Sequence, residues 1–205
     1  PTAAARLDGL LLDAKLSIPA LRAGAVSRRE LVDTARGSGR RVVGVTAPAG
    51  YGKSTLLAQW AHAEDRPVAW VTLDRFDDAP AALLTLLAAA FTRVSPGHPD
   101  LMADVGGVGV SVLGRGAPRL ASAFRTAPAP FVLMLDDLHE LRSAGCHDVL
   151  GVVVAGIPRG SQLVASSRFE QPYLARLRAA GDVALFLSAL VEGAHSILRI
   201  DESAE

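Results

Sequence analysis

Short apolar runs alternating with helix-forming segments predict a three-layer α/β fold on a mostly parallel central sheet. Two further observations support this class. The run Phe131–Leu135 is apolar without alternation, as in a strand covered on both faces. Half of the 205 residues are hydrophobic and a fifth are charged, enough for a sizeable core and too little charge for a disordered chain. Strands separated by helices imply right-handed crossovers, which place helices on both faces of the sheet.

Residues 1–40 read as a lead segment with a first helix. Arg41–Thr46 is a β-branched strand that runs into a Gly/Pro-rich turn, and a helix follows from about Lys53 to His62. Pro67–Leu73 is a second strand. Pro80–Arg93 is a helix, with proline in its first turn and alanine and leucine behind it. Ser95–Gly116 holds five glycines from Gly106 onward and no clear period, so it is expected to be a long loop. Phe131–Leu135 is a third strand, delivering Asp136 and Asp137 at its end. Cys146–Ile157 reads as a helix despite its valines, Gln162–Ser166 as a strand, Tyr173–Ala180 as a helix and Val183–Leu187 as the last strand. Ser188–Glu205 is expected to form a tail with a short helix. The chain thus divides into 1–40, an α/β unit over 41–187 and a tail over 188–205, without internal repeats.

Charge narrows the function. Twenty-one basic residues balance 21 acidic ones, which argues against direct DNA binding by this chain, because phosphate neutralisation needs surplus positive charge. Cys146 is the single cysteine, so an internal disulfide and a cysteine zinc cluster are excluded, consistent with a reducing, cytoplasmic setting. The longest apolar stretches fall short of the ~20 residues of a bilayer helix, and the N-terminus does not read as a secretory signal. Almost all basic residues are arginine; Lys15 and Lys53 are the only lysines.

Residues 47–55 read Ala47-Pro48-Ala49-Gly50-Tyr51-Gly52-Lys53-Ser54-Thr55. This matches the phosphate-loop pattern G-x-x-x-x-G-K-[ST] everywhere except its first position, where Ala47 replaces glycine. Gly50 and Gly52 permit close backbone approach to phosphate oxygens. The following helix adds its positive N-terminal end. Lys53 supplies a mobile cation for the β- and γ-phosphates, and Ser54 a hydroxyl for Mg²⁺. Asp136 then reads as the second metal ligand and Asp137 as the group that orients or deprotonates the attacking water, with Glu140 as the fallback base. Ser167-Arg168 ends the next strand at the same sheet edge, where Arg168 is placed to stabilise γ-phosphate charge. The fold class sharpens to a P-loop NTPase of the RecA/ASCE-like kind.

Several pieces occur in a characteristic order: Lys15-Leu-Ser-Ile-Pro19, Ala25-Val-Ser-Arg28, the phosphate loop, Gln59-Trp60, Ala69-Trp-Val-Thr-Leu-Asp74, Asp136-Asp-Leu-His139 and Ser167-Arg168. Over roughly Lys15 to Val183 the chain resembles the nucleotide-binding domain of MalT-type, LuxR-family ATP-binding transcription regulators, members of the signal-transduction ATPases with numerous domains (STAND). The resemblance implies a switch: ADP at rest, ATP with an inducer favouring self-association, and slow hydrolysis returning the system. It places Arg28 beside the base and sugar, with the backbone of Val26 and Ser27 near adenine, and makes the cofactors ATP or ADP with Mg²⁺. His139 is expected to be structural. The helical, winged-helix, sensor and helix-turn-helix domains of such regulators do not fit in Ser188–Glu205, so contact with regulatory domains is expected to lie outside this chain. Two other readings remain open at this level. A P-loop phosphotransferase would use the same loop with Arg115, Arg119 or Arg125 as lid arginines. A degenerate fold would bind protein partners without nucleotide.

Overall fold

The computed structural model describes residues 3–107, 109–171, 174, 184–192 and 195–201, with 3–8, 184–192 and 195–201 described by backbone alone. The elements run α1 (Ala3–Lys15), α2 (Arg29–Gly37), β1 (Val42–Thr46), α3 (Lys53–Ala63), β2 (Val68–Thr72), α4 (Pro80–Val94), α5 (Leu101–Gly106), α6 (Ala117–Arg125), β3 (Val132–Asp136), α7 (Ala144–Val154), β4 (Gln162–Ser167), β5 (Ala184–Glu192) and β6 (His195–Asp201). Short 3₁₀ turns cover Arg75–Asp77 and Leu138–Glu140.

The sheet order is β2-β3-β4-β1-β5-β6. The first five strands are mutually parallel, and β6 adds an antiparallel edge. Because successive side chains of a strand point to opposite faces, each buried strand feeds two cores. On one face Leu133 and Leu135 of β3 and Leu163 and Ala165 of β4 pack with α4, α6 and α7 through Leu83, Leu87, Phe124 and Val153. On the other face Val43, Val45, Trp70, Met134 and Val164 pack against Val32 of α2 and Leu56, Leu57 and Trp60 of α3. That double coverage is the expected three-layer α/β architecture. Among the described residues no helix is long and apolar enough to cross a membrane.

Two segments differ from the expectation. Ser95–Gly116 is not a plain loop. Leu101 and Val105, one helical turn apart, are both buried and fold α5, and a π-helical stretch over Val112–Gly116 leads directly into α6. Gly116 lies close to α4 there: a Cβ would stand 2.6 Å from Leu84 Cδ2, so that side chain would have to shift. In place of a short helix in 188–205, β5 continues to Glu192 and β6 pairs back on it. The expected helix at Tyr173–Ala180 lies outside the described residues apart from Leu174, which is helical and buried.

Candidate functional site

β1 ends at Thr46, and the chain turns through residues 47–52 into α3. Gly50 at φ +83° and Gly52 at φ +75° hold left-handed backbone that L side chains rarely adopt. Ala47 does not share that conformation, since Asp137 is the one described non-glycine residue with positive φ. Alanine at the first position of the motif is therefore compatible with the turn. Ala47 is buried, and its N–H donates to the Ser167 carbonyl at 3.2 Å, tying the loop to β4.

Lys53 is only 7% exposed, and its Nζ donates to the Pro48 carbonyl at 3.1 Å, folding the ammonium back across the loop. Burial pushes its pKa below the usual lysine value, against the pull of Asp137 and Asp136. A buried cation that lines a cavity is poised for an anion.

β4 lies between β1 and β3, so the strand ends bring the phosphate loop, Ser166–Arg168 and Asp136–Asp137 to one edge. Asp136 is buried, and Ser166 Oγ donates to its carboxylate. The same Oγ accepts from the Asp137 N–H at 3.0 Å, so one hydroxyl positions both acids. Asp137 sits at φ 60°, a strained position for a non-glycine residue, which turns its carboxylate away from the strand into the open cavity. Burial and the neighbouring Asp136 charge raise the Asp137 pKa. A carboxylate with raised pKa in a cleft is suited to accept a proton.

The cavity itself is about 390 Å³. Ala49, Gly50, Gly52, Lys53, Ser54 and Thr55 line it together with Asp137, Arg168 and Pro19–Arg22. A second hollow of about 500 Å³ adjoins it, between Arg22–Val26, Arg28 and Gly50–Gly52. Arg28 Nη2 donates to the Tyr51 carbonyl at 3.1 Å, which puts the guanidinium against the loop. Gln59 of α3 locks this segment: its Oε1 accepts from the Arg28 N–H at 2.9 Å and its Nε2 donates to the Val26 carbonyl at 2.8 Å. That carbonyl already has a partner, which limits the adenine contacts expected from Val26 and Ser27.

The structure therefore gathers Ala49 to Thr55, Asp137, Arg168 and Arg28 around two contiguous hollows, with Asp136 buried just beneath. Glu140 does not line the cavity and faces His139, at 3.4 Å from Nε2. His139 is buried with neither ring nitrogen hydrogen-bonded, and its Nδ1 lies 3.7 Å from the Asp137 carboxylate. Burial lowers its pKa. Sequence reasoning missed the shared hydroxyl of Ser166, the amide clamp of Gln59 and the wall Pro19–Arg22. The two serines in a row at the end of β4 were the only visible signal for the first.

This geometry has counterparts among known proteins. Residues 28–164 match the family model of the AAA ATPase domain. The chain belongs to the AAA ATPase domain family. Within it, the chain is 31% identical over 170 residues to the HTH-type transcriptional regulator MalT of Cronobacter sakazakii, which covers 78% of this chain and 18% of that protein. It is 30% identical over 175 residues to MalT of Yersinia enterocolitica, covering 82% and 19%. The chain thus spans about a fifth of the length of these regulators and is a MalT-type nucleotide-binding domain. As an AAA ATPase domain it shares its fold with Cdc6p from Pyrobaculum aerophilum, at TM-score 0.53, 13% identity and coverage of 85% of this chain and 48% of that one. A Walker-type ATPase of Pyrococcus abyssi gives TM-score 0.54 at 12% identity, covering 89% and 58%.

Proposed function

We propose that this AAA ATPase domain binds ATP or ADP with Mg²⁺, hydrolyses ATP slowly and uses the difference between the two states to control self-association of a MalT-like transcription regulator in the cytoplasm. The observation that carries the reading is the single cavity in which the buried Lys53 ammonium, Ser54, Asp137 and Arg168 converge. The residues fit the ligands. The two left-handed glycines shape the loop, the Lys53 ammonium folds back across it, and the charge of the buried Asp136 acts on Lys53 at the start of the loop helix. Mg²⁺ characteristically keeps waters and takes few protein ligands, so Ser54 and Asp136 would hold it, and it would supply charge neutralisation.

Each protein group then has a task. The loop amides and Lys53 bind and orient the phosphates, and Asp137 receives the proton of the attacking water. Arg168 is placed to offset charge that develops on the terminal phosphate, and Glu140 is the reserve base. Arg28 and the hollow beside Tyr51 accept the base and sugar. Control of DNA-binding output belongs to further domains of such regulators and not to direct DNA contact by this chain.

A phosphotransferase reading is disfavoured by one observation. Arg115 and Arg119 do not line the cavity; both pair with Asp104, at 3.6 Å and 2.6 Å. The degenerate-module reading is separated by calorimetry. Titration of ATP and ADP with Mg²⁺ is expected to give saturable heat, and Lys53→Ala to weaken affinity more than tenfold. Affinity within a factor of two of the parent would remove the phosphate-loop assignment.

A further inference from the structure

The lysine at the end of α1 stands outside the phosphate site, between two carboxylates. Lys15 Nζ donates to both oxygens of Asp77, at 2.7 Å and 2.6 Å, and lies 2.9 Å from Asp74. Asp77 is buried, and the two acids are themselves locked by a reciprocal capping box around the turn Arg75–Asp77. Burial works against the ammonium, but the two carboxylates outweigh it and raise its pKa.

Two chains of contact leave this cluster. One runs along the strap 16–28. Leu16 is buried in the core beside Lys15, Pro19–Arg22 then walls the cavity, and the Gln59 clamp holds the far end at 26–28. Between the two anchors Ile18 packs on the second core and the Pro19 carbonyl lies 3.3 Å from His62 Nε2, after which the strap runs exposed, with Leu21 45% exposed. The other chain runs to the loop that carries Asp137. Leu73 N–H donates to the Asp136 carbonyl at 3.0 Å, before that loop. Asp78 Oδ1 accepts from the N–H groups of Arg142 and Ser143, at 3.0 Å and 2.8 Å, after it.

Resting on the nucleotide-binding reading above, we propose that Lys15 is a positioning residue, a latch that holds the strap 16–28 closed over the nucleotide and ties its position to the Asp136–Ser143 loop through Asp74, Asp77 and Asp78. Asp13 in the last turn of α1 also pairs with Arg93, but the Lys15 pairs are the ones that join the start of the strap to the turn Arg75–Asp77. Breaking them frees one end of a wall whose other end stays clamped, so bound nucleotide escapes faster while the phosphate loop itself is unchanged.

The test is release of a fluorescent ADP from the chain, followed by stopped flow, together with tryptic cutting at Arg22 in the nucleotide-free protein. Lys15→Met is expected to speed release at least tenfold and cutting at Arg22 at least tenfold, with cutting at Arg159 unchanged. Lys15→Arg, which keeps the charge, is expected to stay within threefold of the parent in both. Should Lys15→Met not fold, Asp74→Asn removes the more exposed partner alone and is expected to speed release about threefold. Release and Arg22 cutting that both stay within twofold of the parent, in whichever variant folds, overturn the latch. Equal acceleration at Arg22 and Arg159 does the same, because it marks general destabilisation. If the parent chain holds no ADP, the nucleotide reading fails by itself, and the tryptic pattern alone decides whether Lys15 tethers the strap.

Discussion

At the residue scale the site turns on Asp137. Its left-handed backbone costs of order 1–3 kcal/mol, held in place by the Ser166 hydroxyl beneath its N–H. Asp137→Asn is expected to bind ATP as the parent does and to release phosphate roughly 10²–10⁴-fold more slowly, the usual cost of losing a general base. Single-turnover phosphate release measures this, and an unchanged rate would move the base to Glu140. A pH signature accompanies it. The proposed base works deprotonated, and burial with the Asp136 charge raises its pKa, so kcat/KM should begin to fall on the acid side at a higher pH than for an unperturbed aspartate. The residue types of the site were readable in advance because a phosphate loop and its acidic strand are local in sequence. Ser166 and Gln59 were not, since each acts on a partner about thirty residues away.

At the element scale, α2, α3, β2 and β4 are joined at the opposite edge of the sheet by one buried acid. Glu64 accepts from Arg66 and from Trp60 Nε1 at 3.0 Å, and Arg36 of α2 lies 3.4 Å away. Arg66 continues to Gly160 and Gln162, both at 2.7 Å. Burial raises the Glu64 pKa, but these donors overcome it and hold the group at about 2, against a usual 4.5. A depressed folded value means stability present above the unfolded pKa and lost as pH falls through the folded one. Acidification from pH 5 to pH 2 should therefore remove on the order of 3 kcal/mol through this group. Glu64→Gln should flatten that part of the profile, measured by urea unfolding across pH; an equal slope in both proteins would assign the acid sensitivity elsewhere. The strands and long helices of this scaffold were legible from apolar runs and propensity. Helix α5 was not, because six residues among glycines leave no period, and the burial of Leu101 and Val105 that makes it helical comes from packing on α4 and α6.

For the whole molecule, ligand linkage is the readout of the proposed switch. A ligand that binds the folded state adds about 2.7 kcal/mol at a concentration 100 times its Kd. ADP and ATP with Mg²⁺ are expected to raise the melting temperature by several degrees in a thermal-shift scan, and Lys53→Ala to abolish the rise. A parent chain that melts at the same temperature with and without either nucleotide would overturn the switch reading. The second half of the sheet shows why whole-molecule context matters. The leucine- and alanine-rich stretch in β5 has helix-forming composition, yet it forms a strand because β1 presents an open parallel edge and β6 covers the other side.

The sequence by itself determined the class of fold, the phosphate loop and the acids at the end of β3, because each is written in contiguous residues whose period or dihedral demands are local. Tertiary structure alone decided what surrounds them. Which hydroxyl holds Asp136 and Asp137, which amide pins residues 26–28, how the strap walls the cavity and where Lys15 finds its carboxylates all depend on strand order. The insertion of β4 between β1 and β3 brings distant segments to a common edge, and no local pattern encodes that order.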